Sequence, residues 1–444
     1  MKRPLKVVLA AIAAGVAFAA YAKQMTGHVE FTEHTLKNGL RVQLSEDHSA
    51  PVVAIHVTYD VGSRNERPGR TGFAHLFEHM MFKGSENVGN GEHFYLVFNQ
   101  GGNMNGTTSS DRTVYYDTMP AHQLELALFL ESDRMRALSI TQANLDNQRN
   151  AVQEERRQSL DNQAYGKAFE RHQELMYDNF AYKHSTIGSM EDLNAATVQD
   201  VAQFFKTYYA PNNAVLTLVG DFKSASALQL IEKYFGGIPR QSAPPPVDTK
   251  EAAQKGERRE SMEDPLARLS RVYIGYKAAP GNTPDYFALD VLATVLQDGQ
   301  SSRLYQSLIR QKQISVGTNA FVLEQRDLSP FYVIAGVMPG KKPEEVEAAI
   351  YAEIERVQRE PIADWELAKA VNGARTNFYA GIRSAESRAA ALGINKVFYN
   401  DANVLNTYVD SIRAVTRQDV QRVAQKYLQP SNRTVLTVIA TGGR

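Results

Sequence analysis

A chain of 444 residues exceeds what one hydrophobic core ordinarily supports, so its length points to two or three domains. Lys plus Arg and Asp plus Glu are balanced at 49 each, which leaves no global field to attract nucleic acid or an anionic membrane surface. The absence of cysteine excludes disulfides, thiolate metal ligands and a cysteine nucleophile, and all ten histidines lie at or before His184, so the second half supplies no imidazole.

The N-terminus places Lys2, Arg3 and Lys6 before an apolar run from Val7 to Ala22 that closes on Ala20-Tyr21-Ala22, the pattern of an export signal over residues 1–22. The run is 16 residues long. That falls short of the roughly 20 residues a bilayer-spanning helix needs. Cleavage ahead of Lys23 is expected, giving a soluble periplasmic or secreted protein without stable membrane insertion; a retained anchor is the alternative.

Leu36 to Val42 reads as a strand entered through the Asn38-Gly39 turn. Val52 to Tyr59, almost continuously apolar or β-branched, reads as a central strand, and it leads through Val61-Gly62-Ser63 to Gly72-Phe73-Ala74-His75-Leu76-Phe77-Glu78-His79-Met80. On a helix, His75 and His79 share one face, and Glu78 lies beside them where it can hold a water rather than a metal. This is the inverted zincin pattern His-x-x-Glu-His. A catalytic zinc takes three protein ligands and keeps one position for water, so a third ligand must come from elsewhere. Two histidines at helical spacing can also be satisfied polar groups at the edge of a core.

Gly101 to Ser109 is too rich in Gly and Asn for a packed core strand and continues into the strand-like Asp111 to Asp117. A glycine-rich strand lets another backbone approach closely; a flexible hairpin is the alternative. Helical spacing marks about Ala121 to Leu138, with Leu124, Leu128 and Met135 inward, and about Thr141 to Ser159. On the second helix Leu145, Gln148, Val152 and Glu155 share one stripe, whereas Glu154 points elsewhere. An inward carboxylate is costly unless paired or metal-bound, so Glu155 is the candidate third ligand; a buried ion pair with an arginine is the competing reading.

Thr197-Val198-Gln199-Asp200-Val201, with Tyr208, Pro211, Asn213 and Val215-Leu216-Thr217, recurs as Thr416-Arg417-Gln418-Asp419-Val420, with Tyr427, Pro430, Asn432 and Val435-Leu436-Thr437. Between the copies, Pro244-Pro245-Pro246 and the charged stretch after Lys250 read as a semi-rigid linker. The expected architecture is α+β: two homologous domains over 23–240 and 261–444, each a sheet covered by helices, joined by residues 241–260.

Together these residues resemble the M16 (pitrilysin, insulinase) metallopeptidases, and most closely the two-domain branch that includes the mitochondrial processing peptidase β subunit. The resemblance is carried by Leu36-x-Asn38-Gly39-Leu40, Val61-Gly62-Ser63, His75-x-x-Glu78-His79, the Gly-Gly-x-x-Asn run ending at Asn105, and Ser301-Ser302-Arg303-Leu304. It implies one zinc ion per chain held by His75, His79 and Glu155, with Glu78 as base and an extended peptide along Asn105, Gly106 and Thr107. Two departures stand out. Gln148 occupies a position where the family tends to have glutamate, and of an arginine and tyrosine pair that holds substrate, Arg310 matches the first while Gly317 stands at the second.

The expected function is zinc-dependent endopeptidase action on unfolded or short peptides, with a related partner chain supplying the arginine and tyrosine in a heterodimer. A non-catalytic peptide-binding or scaffold subunit of the same fold is the alternative, and a zinc hydrolase of non-peptide bonds a third.

Overall fold

The computed structural model describes residues 27–442; the export-signal segment lies outside them. Among the described residues, eleven strands form two mixed sheets. The first has the order β1-β2-β6-β3-β5-β4 and the second β7-β11-β8-β10-β9. In the first, β1 (Thr32–Thr35) pairs antiparallel with β2 (Arg41–Glu46), β2 runs parallel to β6 (Ala214–Gly220), and β3 (Val52–Tyr59) lies antiparallel between β6 and β5 (Thr113–Pro120). The edge is β4 (Asn103–Thr108), paired among the described residues only with β5.

The second sheet repeats this order without a counterpart of β1. β7 (Arg258–Asp264) runs parallel to β11 (Arg433–Ala440), followed by β8 (Arg271–Lys277), β10 (Pro330–Val337) and the edge strand β9 (Ser315–Val322). The sequence repeat makes the same local structure twice. Thr197 caps the helix Val198–Tyr208 and Thr416 caps Arg417–Tyr427, each in a capping box with an aspartate three residues on. Asn213 Nδ2 then donates to Tyr208 O at 2.9 Å and to Asp60 O, just past β3; Asn432 Nδ2 donates to Tyr427 O at 2.8 Å and to Lys277 O, at the end of β8. One asparagine thus ties helix, turn and central strands together in each half.

Strand β3 is buried over seven of its eight residues, as its unbroken apolar run dictates for a strand flanked on both sides. The strand expected from Leu36 begins instead at Arg41. Gly39, at φ +92°, turns the chain, and Asn38 Nδ2 donates to Phe235 O and Ile238 O, so the turn is fixed by a distant helix end rather than by strand pairing.

Each sheet borrows a helix from the other half. The helix Ala385–Tyr399 packs on β3 and β6, where a Cβ on Gly393 would lie 2.7 Å from Thr58 Oγ1, and Ala389 and Leu392 bury against Ala54 and Val219. Reciprocally, Gly166–Met176 packs on β8 and β11, with His172 against Gly275 and its Nε2 3.1 Å from Thr434 O. Residues 241–257 form no helix or strand and are strapped back by Glu251, which accepts from the backbone N–H groups of Asp178 and Asn179 and pairs with Lys277 at 2.8 Å.

Candidate functional site

Strand β3 ends at Tyr59, and the chain crosses through a short turn to the helix Phe73–Met80. Gly72, at φ +82°, starts that helix where a Cβ would lie 2.5 Å from Ile187 O, so the entry is possible only for glycine. The buried carboxylate of Glu66 accepts from Gly72 N at 2.9 Å and Ala74 N at 2.7 Å, satisfying two free donors of the first turn, and takes a third contact from His184 Nε2 at 2.9 Å. Sequence reading missed Glu66 and His184. A carboxylate seven residues before the first residue of a helix gives no local capping signal.

The helix presents His75 and His79 to Glu155, which projects from the helix Gln142–Arg156. His75 Nε2 lies 3.5 Å from Glu155 Oε1, and His79 Nε2 lies 3.2 Å from Glu155 Oε2. Four-coordinate zinc with bonds of about 2.0–2.1 Å has donor-to-donor edges of about 3.3 Å, and each imidazole lies near that distance from one oxygen of Glu155, so two imidazoles and a carboxylate suit the ion. All three donor atoms lie within 4.8 Å of one another. Burial and the neighbouring imidazole of His79 bring the His75 pKa down to about 4, keeping the ring neutral as a metal ligand must be. The hydrogen bond from His79 holds the Glu155 carboxyl below its ordinary range.

Glu155 is less sequestered than an inward stripe implied: its side chain is 44 % exposed, while Leu145, Gln148 and Val152 on the same stripe are buried. The stripe emerges at its C-terminal end beside the imidazoles. Glu154 is turned away and bonded to Arg157 and Gln158. Gln148 Nε2 donates to Asn147 Oδ1.

Glu78 is buried and faces β4. Its Oε2 accepts from Thr108 Oγ1 at 2.5 Å, and its stem lies over Gly106, where a Cβ would approach Glu78 Cγ to 2.9 Å. Burial pushes the Glu78 carboxyl above its ordinary range, offset in part by the Thr108 bond and the His79 imidazole. The β4–β5 hairpin is held at its tip by the turn after β3: Ser63 N and Arg64 N donate to Ser109 O and Ser110 O, and a Cβ on Gly62 would lie 2.3 Å from Ser109 O. Arg64 pairs with Asp111 at 3.2 Å and with Asp327, from the second half, at 3.0 Å.

Of the expected substrate residues, Asn105, Gly106 and Thr107 lie on the edge strand β4 next to Glu78. Asn105 Oδ1 accepts from Gly106 N, and Arg112 Nη1 donates to Thr107 O at 2.7 Å. Arg310 is exposed on the irregular helical segment Tyr305–Gln311 of the second half, with no ion pair among the described residues. Gly317 lies on β9, the counterpart of β4, with open space where its side chain would be.

A second convergence of His93, Asp117 and Glu131 is wholly buried. There Arg134 donates to both oxygens of Glu131, one of them at 3.1 Å. Two carboxylates against one guanidinium leave one negative charge, which a single proton balances and a divalent cation would overcompensate. Burial raises Asp117 to about 6 and Glu131 to about 7, and lowers His93 to about 3.

The model of the insulinase family, peptidase family M16, matches residues 41–189, and that of the peptidase M16 inactive domain matches 195–374. A zinc protease of Helicobacter pylori, PqqE, is 31 % identical over 405 residues, covering 90 % of this chain and 91 % of the relative. The mitochondrial-processing peptidase β subunit of Lentinula edodes is 23 % identical over 410 residues, covering 90 % and 88 %. The crystal structure of a protease from Helicobacter pylori superposes with a TM-score of 0.88 at 30 % identity, covering 92 % of this chain and 99 % of that one. With its two repeated halves and its relatives matched over nearly their whole length, this chain belongs to the M16 (insulinase) family of peptidases.

Proposed function

We propose that the chain is a zinc-dependent endopeptidase acting on unfolded or short peptides. The observation that carries this reading is the convergence of His75 Nε2, His79 Nε2 and the Glu155 carboxylate within 4.8 Å of one another, with Glu78 on the same helix beside them. These three side chains would hold one zinc ion, which when bound acidifies a water and polarises a carbonyl.

Glu78 takes the proton from the attacking water and delivers it to the nitrogen of the leaving amine as the peptide bond breaks. Its burial suits the first half of that task, since a carboxyl raised above its ordinary range takes a proton more readily than an exposed one. Oε2 is engaged by Thr108, which leaves Oε1 for the proton. An extended peptide adds to the free edge of β4 through main-chain hydrogen bonds, so recognition reads backbone before side chains.

Gly317 offers no donor to a substrate carbonyl, and this supports work with a related partner chain. The N-terminal basic and apolar segment supports export.

The test is metal content measured alongside cleavage of a mixed peptide library, with and without a chelator, using Glu78→Gln as the control. Zinc near one per chain and chelator-sensitive cleavage are expected; zinc-free protein without cleavage would overturn the reading in favour of a scaffold.

A further inference from the structure

We propose that Thr108 is a positioning residue for the reaction: its hydroxyl fixes the rotamer of Glu78 and selects Oε1 as the oxygen that moves the proton. The inference rests on the reading of Glu78 as the base.

A glutamate has three side-chain torsions, and a buried one that must meet both a water and a leaving amine needs something to hold its end. Thr108 Oγ1, 2.5 Å from Glu78 Oε2, is that support. A hydroxyl has one proton, and its other neighbour here is Thr113 Oγ1 at 3.5 Å. Thr113 commits its own proton to Val61 O at 2.9 Å. Thr113 can then only accept from Thr108, and at 3.5 Å it competes poorly with the carboxylate at 2.5 Å, so the Thr108 proton goes to Glu78 Oε2. Donation to Oε2 engages that oxygen and leaves Oε1 turned toward Gly106, where the absent side chain provides the room: a Cβ there would lie 3.2 Å from Oε1.

The support is itself anchored. Arg112 Nη1 donates to the carbonyl and the hydroxyl of Thr107, at 2.7 and 2.6 Å, which fixes the end of β4. Beyond it, Ser109 O and Ser110 O are clamped by the turn that leads into the metal helix. Helix and hairpin are therefore held in register from both sides of the Thr108–Glu78 bond.

Thr108→Val keeps the shape of the side chain and removes only the hydroxyl; Thr108→Ser keeps the hydroxyl. The Val variant should retain zinc and keep KM within about twofold, while kcat falls about tenfold to a hundredfold, a fraction of what a general base contributes. The Ser variant should recover most of kcat. Crystal structures of the metal-free wild type and Val variant supply a readout independent of turnover, in which the Glu78 side chain should leave the Thr108 seat only in the variant. Unchanged kcat with Glu78 still seated, an equal loss in Ser and Val, or loss of zinc in the Val variant would overturn the inference. Should the wild type cleave no peptide while Glu78 still leaves its seat in the Val variant, the peptidase reading falls and the positioning role stands.

Discussion

Glu78 occupies the space that a side chain at Gly106 would take, its Cγ 2.9 Å from the position of a Cβ there. Backbone freedom does not explain this glycine, because Gly106 is not among the residues with positive φ. Gly106→Ala should therefore fold and keep zinc, because His75, His79 and Glu155, the proposed ligands, are untouched, but should displace Glu78 and cut kcat about a hundredfold. Zinc content and steady-state kinetics on one short peptide check this together.

The two adjacent glutamates at the end of the helix Gln142–Arg156 separate by partner. Glu155 faces both imidazoles, and Glu154 faces Arg157 and Gln158. Glu155→Gln should weaken zinc retention by about tenfold or more, whereas Glu154→Gln should leave it unchanged. Competition with a chromogenic chelator measures both; zinc loss in the Glu154 variant alone would shift the ligand by one residue.

The buried pair of Asp117 and Glu131 predicts a pH dependence that can be isolated by difference. Asp117 has a folded pKa of about 6, above its unfolded value of about 3.8, so the folded state binds more protons between these values and loses stability as pH rises through that window. Asp117→Asn removes this group. Denaturation measured from pH 4 to pH 7 should show the variant gaining on the wild type by about 2 kcal/mol or more, because loss of the Asp117 charge also lowers the neighbouring Glu131. A constant difference across the window would contradict the assignment.

Gly317 lies on β9, the counterpart of the edge strand β4 of the first sheet, and brings no side chain to that edge. The chain alone should bind zinc and cleave unstructured peptides slowly, and a co-expressed relative carrying the arginine and tyrosine should raise turnover about a hundredfold, the cost of one missing preorganised donor. Equal turnover with and without such a relative would rule out dependence on it.

What could be read from the chain depended on how local the cause was. Strand β3 was legible because burial on both faces leaves an unbroken apolar run. His75, Glu78 and His79 were legible because a helix fixes their relative directions. The repeat around Thr197 and Thr416 was legible down to its capping residues. Thr108 was not, because its partner Glu78 is 30 residues away and a threonine in a strand is unremarkable by composition. Glu155 was found on its stripe, but the opening of that stripe to solvent depends on where the helix ends relative to the sheet. The exchange of helices between halves leaves no mark either, since an apolar stripe reads the same whichever sheet it covers.

That exchange governs the order in which the protein can be made. During vectorial synthesis or translocation the first sheet emerges with Ala54 and Val219 uncovered, and they stay so until Ala385–Tyr399 follows, near the C-terminus. A chain truncated after residue 260 would carry His75, His79 and Glu155 together with an unsealed apolar sheet face, prone to self-association. A chain nicked within residues 241–257 after folding keeps both borrowed helices in place and stays one particle until it is unfolded. The halves are thus two in sequence and a single cooperative unit in assembly.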